Sequence, residues 1–216
     1  MVREDPRSTR SRSALIEAMA ELLDSEASLE SLSVTDVVRA AGVSRPTFYQ
    51  HFGEMSLLVR AAALHRLAGA FADIPEVALG ESWTTFVRGT FRGLLLHLQG
   101  NVVFYKKALT SGGSQALSED VIGLLAARLL DVSPLGPILR NRTLVGSPED
   151  RAAFLAAGTF WLVNRWLDSD FTGPDSVAAM VDRISLLLLT AAGVTDDEIA
   201  VVRAQTDVGS GGSAQA

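Results

Sequence analysis

The chain has 216 residues, 48% of them hydrophobic, enough for one large or two small buried cores. It contains no cysteine, which excludes a disulfide framework and thiolate metal sites, and its three histidines (His51, His65, His97) stand at no metal-ligand spacing. The net charge of −6 is unevenly placed: residues 1–66 carry eight Arg against nine Asp and Glu (−1), and residues 67–216 carry eleven basic against sixteen acidic residues (−5).

Residues 9–27 read as an amphipathic helix with Leu15, Met19, Leu22 and Leu23 inward, and Arg3, Arg7, Arg10 and Arg12 cluster in the N-terminal arm that runs into it. Such a cluster suits phosphate contacts, although Glu4 and Asp5 dilute it and a solvated, disordered arm is the alternative. Ser33 then opens S-x-x-D with Asp36, the pattern of a capping box. Val34, Val37, Val38 and Ala41 form one apolar stripe on the short helix that follows, and Gly42 stands where the chain must take positive φ. Ser44 is placed to cap a second short helix from Arg45 to about His51, with Pro46 in its first turn, where a missing N–H is harmless. Phe48 and Phe52 turn inward, and Arg45, Thr47, Tyr49, Gln50 and His51 point elsewhere. Two short helices joined by a glycine turn, the second rich in hydrogen-bond donors, have the plan of a major-groove reader; a plain helical hairpin with a solvated face is the competing reading.

Long helices are expected over residues 55–73 (ended by Pro75), 82–98, 116–131, 149–169 and 175–192, with a shorter one over 102–110 broken by Ser111–Ser114. Residues 133–148, with Pro134 and Pro137, read as a loop; 196–204 read as a further short helical turn; GSGGSAQA at 209–216 reads as disordered. No segment alternates with period two. The expected fold is all-α with about nine helices: an arm and three-helix head over 1–54, a larger helical body over 55–206 and a tail over 207–216. The longest apolar stretch, 184–194, is interrupted and too short to span a bilayer, and no apolar leader opens the chain, so a cytoplasmic protein is expected. No G-x-G-x-x-G, P-loop or H-E-x-x-H occurs, so neither an enzyme nor a cofactor is expected.

The run Ala41-Gly42-Val43-Ser44, Thr47-Phe48-Tyr49 and His51-Phe52, preceded by Ser33-Val34 and Asp36, resembles the N-terminal domain of TetR-family transcriptional regulators over roughly residues 12–58, with a weaker likeness at Gly158–Asp168. The resemblance implies a double-stranded DNA operator as partner, read by Thr35, Arg45, Pro46, Thr47, Tyr49, Gln50 and His51. A guanidinium at Arg45 suits guanine O6 and N7, Gln50 suits adenine, and the Pro46 ring suits a thymine methyl; Thr47, Tyr49 and His51 suit phosphates. Two positions depart from the family pattern. Met55 stands where a phosphate-gripping lysine is usual, and Val38 where alanine lets the two helices cross closely.

For the body, the resemblance implies a homodimer through the last two long helices and a cavity for a small-molecule effector. Candidate interface residues are Ala157, Phe160, Val177, Val181, Ile184 and Leu188; the same stripe would equally serve as intramolecular core. Candidate effector-lining residues are Trp83, Phe86, Phe104, Tyr105, Trp161, Asn164 and Arg165, with Phe91, His97 and Phe154 beside them, although aromatics at helical spacing commonly form core. Asn164 and Arg165 interrupt the apolar run 160–167 and would each need a partner if buried there. Lys106 and Lys107, the chain's two lysines, suit either an anion or a solvated helix end. The expected function is a ligand-responsive repressor. The rival is a helical small-molecule-binding or interaction protein whose head no longer reads DNA, which Met55 and the near-neutral head would favour.

Overall fold

Capping residues and apolar spacing set the helix boundaries. The computed structural model describes residues 6–25, 28–72, 83–141 and 146–193, without the side chains of 83–85 and 141. Among these residues there are ten α-helices and no strand: α1 Pro6–Asp24, α2 Val34–Ala41, α3 Arg45–His51, α4 Met55–Ala72, α5 Trp83–Gly100, α6 Val102–Thr110, α7 Ser114–Asp131, α8 Gly136–Asn141, α9 Pro148–Trp166 and α10 Val177–Ala191. The all-helical expectation holds. Arg3, Pro75, the Trp83 side chain, the turn at 196–204 and the tail lie outside the described residues.

The chain divides into two compact units. The first comprises residues 1–73 and 97–121, and the second residues 74–96 and 122–216. In the first unit α1 is the central strut, packed against α2, α3, α4 and α6. Its core is built from Leu15, Met19 and Leu23 of α1, Val37, Phe48, Leu58, Ala62 and Phe104, all at 0% exposure. In the second unit α9 packs on α8 and α10 around buried Leu135, Leu139, Ala152, Ala156, Trp166, Met180, Ile184 and Leu188. Trp166 keeps its indole N–H satisfied by donating to the Asp175 carbonyl at 2.6 Å, as a buried indole requires.

The stretch 133–148, expected as a loop, contains α8. Prolines at 134 and 137 suggest a breaker, but Pro137 is the second residue of α8, where its missing N–H has no intrahelical partner to lose. Burial of Leu135 and Leu139 four residues apart holds the segment, and Arg140 donates to the Leu130 carbonyl at 2.5 Å. Gly136 starts the helix hard against that carbonyl, where any Cβ would collide with backbone oxygen. The start of α9 also has a sequence signal that the prolines obscure. Ser147 and Asp150 form a reciprocal capping box, with Pro148 in the first turn.

Candidate nucleic-acid interface

The geometry from Ser33 to Phe52 is the one its residue order predicts. Ser33 Oγ accepts the Asp36 N–H at 3.3 Å, and the Asp36 carboxylate accepts the Ser33 N–H at 3.1 Å. The Ser33 hydroxyl also donates to that carboxylate at 2.5 Å, and this bond first, then the Ser33 N–H, with Arg39 adding a weaker attraction, hold the Asp36 carboxyl below its ordinary range. Gly42 ends α2 in the left-handed region at φ 64°, and the Val43 N–H closes back on the Val38 carbonyl at 3.0 Å. Ser44 Oγ then accepts the Thr47 N–H at 3.3 Å and caps α3.

One face of α3 is fixed and the other is free. Phe48 is wholly buried, Phe52 is 6% exposed, and their rings lie 6.5 Å apart. This anchor leaves Arg45, Pro46 and Gln50 exposed, Tyr49 52% exposed, and Thr47 and His51 half-buried; Thr35 on α2 is exposed as well. The seven sequence-predicted residues therefore fall on α3 and at the start of α2. Arg45 forms no ion pair with the described residues, so its guanidinium is available to an incoming group. Arg7 joins Arg10 and Arg12 on α1, because α1 begins at Pro6, three residues earlier than its apolar pattern indicates. Val38 is accommodated at 8% exposure. Met55 is the half-buried first residue of α4 and leaves no cation at that helix start.

The head is braced by charges that no local pattern connects. Arg66 of α4 makes a bidentate bond to Asp24 of α1, both at 2.6 Å, reaches Asn101 at 3.3 Å, and stacks 3.9 Å from the Phe104 ring centroid. Lys107 is neither a solvated end nor an anion hook. Its ammonium donates to the Leu23 carbonyl at 3.1 Å and to the Ser25 carbonyl, satisfying the C-terminus of α1. The partners are separated by 42 and more than 80 residues, and no helical period links such distant positions.

The candidate effector-lining residues do not gather in one unit. Phe104 and Tyr105 belong to the first unit's core, where the Tyr105 hydroxyl pairs with His97 Nε2 at 2.9 Å and burial pushes its pKa well above the ordinary phenol range. Phe86, Trp161, Asn164 and Arg165 belong to the second unit. Asn164 and Arg165 are exposed and so escape the burial that the apolar run suggests. The 100° helical step turns Trp166 and Leu167 inward and Asn164 and Arg165 outward. The Arg165 guanidinium lies 4.8 Å from the exposed Trp161 ring. Of the interface candidates, Val181, Ile184 and Leu188 are buried within their own unit, and Ala157, Phe160 and Val177 are half-buried. The apolar surface that α9 and α10 expose is instead Phe154 at 76%, Trp161 at 55% and Leu187 at 50%.

Among the described residues no cluster of His, Asp and Glu could hold a metal ion, and no helix is long and apolar enough to cross a membrane. Residues 15–62 match the family model of the bacterial regulatory proteins, tetR family. No curated protein sequence matches the chain significantly. Several solved structures share the fold. The TetR family repressor AlkX from Dietzia sp. strain DQ12-45-1b, implicated in biodegradation of n-alkanes, is 21% identical over 89% of this chain and 100% of its own, with a TM-score of 0.58. The dihydroxyacetone kinase operon activator DhaS is 17% identical over 85% of this chain and 97% of its own, with a TM-score of 0.56. A TetR transcriptional regulator from Streptococcus agalactiae 2603V is 19% identical over 86% and 97%, with a TM-score of 0.53.

Proposed function

We propose that the chain, whose residues 15–62 match the tetR family model, is a regulator of that family, a repressor that binds a palindromic operator as a homodimer and is released by a small molecule. The observation that carries this reading is α3: a helix anchored by a fully buried Phe48, with Arg45, Pro46, Tyr49 and Gln50 turned to solvent. Arg45 donates to guanine O6 and N7, Gln50 pairs with adenine, and Pro46 covers a thymine methyl. Thr35, Thr47, Tyr49 and His51 hold phosphates and set the register.

The dimer forms on the outward side of α9. Phe154, Gly158, Trp161 and Arg165 recur there at helical spacing, placing two exposed aromatics on either side of a glycine that permits close approach. A twofold axis would set the two recognition helices on successive major grooves, about 34–36 Å apart or a multiple of it. The effector occupies the helical body, with half-buried Phe86 as a lining residue, and the protein acts in the cytoplasm, where its operator is. AlkX is named as a repressor and DhaS as an activator, so the fold accommodates both signs of control. Repression follows from the simplest use of a bound dimer, which is to occlude a promoter.

Selection of DNA from a random pool by the purified full chain tests this reading. The expected result is one enriched palindrome, bound by a species of twice the monomer mass. A folded protein that enriches no sequence refutes it.

A further inference from the structure

We infer that the first unit carries a second binding site, for an amphipathic organic anion such as an aryl carboxylate, in the groove beside the C-terminal end of α3. The groove has a volume of about 510 Å³, within the range of small-molecule sites, and all its walls belong to the first unit. Its polar rim is cationic. Arg60 makes a bidentate pair with Asp120, one bond at 2.7 Å, so that carboxylate is neutralised. Arg12 has no carboxylate partner among the described residues, and its guanidinium lies 5.4 Å from the Phe52 ring centroid. The imidazoles of His51 and His65 line the same space, and neither forms an ion pair with a described residue.

The floor is apolar. Ile16 and Phe52 are nearly buried, Leu64 is half-buried, and Leu57 is left 42% exposed against the groove. A single exposed leucine is ordinary, but one that walls a groove rimmed by the Arg12 guanidinium, left without a carboxylate among the described residues, matches a ligand that is anionic at one end and apolar at the other. A phosphodiester backbone matches less well, since its sugars offer far less apolar surface than an aryl ring to cover Leu57. His51 and Phe52 close α3, so occupancy weakens operator binding; this consequence alone rests on the reading of α3 given above.

The test is calorimetric titration of the full chain, without DNA, by 2-naphthoate, its uncharged amide and acetate. The expected result is saturable binding of 2-naphthoate, about tenfold tighter than either control. Arg12→Gln and Leu57→Ser, both at exposed side chains and checked for folding by circular dichroism, should each weaken it about five- to tenfold. Equal binding of the amide, or 2-naphthoate affinity unchanged in both variants, overturns the site and places the probe elsewhere. A second arm adds 2-naphthoate to the selected operator complex: weakened DNA binding supports the coupling to α3. Unchanged DNA binding refutes that coupling alone, and an absent operator leaves the calorimetric result to decide the site.

Discussion

Neighbouring aromatics on α3 should respond to truncation in opposite ways. Phe48 is at 0% exposure and touches Tyr49 edge-on at 5.2 Å and Phe52 at 6.5 Å. Phe48→Ala therefore leaves a ring-sized cavity in the first unit and is expected to cost about 3–5 kcal/mol, a large fraction of the ~5–15 kcal/mol that stabilises a domain. Tyr49 is 52% exposed, and its ring meets Phe48 edge-on. Tyr49→Ala should cost about 1 kcal/mol or less in stability while weakening operator affinity about tenfold, because a hydrogen bond to phosphate disappears. The probe of stability has to report on the head. Trp83, Trp161 and Trp166 all fall in the second unit, so tryptophan fluorescence would miss the event. Hydrogen exchange of the α1–α4 amides in urea reads it directly, and anisotropy of labelled operator reads binding. A Phe48→Ala protein with undiminished protection, or a Tyr49→Ala protein that unfolds, would refute the assignment of inner and outer faces on which the interface depends.

Other outcomes follow from the same geometry. Gly136→Ala should destabilise the second unit by about 1–3 kcal/mol, because the new Cβ meets the Leu130 carbonyl; an unchanged denaturation midpoint would show that the start of α8 yields freely. The Asp36 carboxyl is held below its ordinary value of 3.8, so its share of head stability is complete above that pH and is lost as the pH falls through the lower folded-state value. Acid titration of Asp36→Ala should show a shallower loss of head stability in that window, and a curve parallel to the parent would contradict the capping box. Replacing Arg7, Arg10 and Arg12 by Ala should reduce the salt slope of operator binding by roughly one for each phosphate that is no longer neutralised, and an identical slope would remove α1 from the interface.

Where order along the chain carries the physics, the sequence is readable. The capping box at Ser33, the positive φ at Gly42, the Ser44 cap and the Phe48 anchor each depend on residues no more than four apart, and each stands as its spacing predicts. Two expectations fail for local reasons. Prolines over 133–148 suggest breakers, yet a proline also suits a helix's first turn, and α8 uses Pro137 in that way. The apolar neighbours of Asn164 and Arg165 suggest burial, yet the 100° step turns both side chains out. Contact between distant segments is beyond the reach of any local pattern. Nothing nearby in the chain says that Arg66 finds Asp24, that Lys107 caps α1, or that Arg60 finds Asp120. Composition likewise does not show which apolar residues of α9 and α10 belong to the core and which, like Phe154 and Trp161, remain exposed.

On the proposed reading the outer face of α3 enters the major groove, with Arg45 on a guanine. Methylation of guanine N7 on the selected operator tests this most directly, because that atom lies in the major groove and is one of the two that Arg45 would grip. Methylating one guanine per half-site should block binding of the parent protein. Arg45→Ala should become indifferent to that mark after losing about 1–3 kcal/mol per half-site. Binding of the parent that ignores every N7 methyl, or an Arg45→Ala protein that loses affinity equally on operator and random DNA, would contradict that reading.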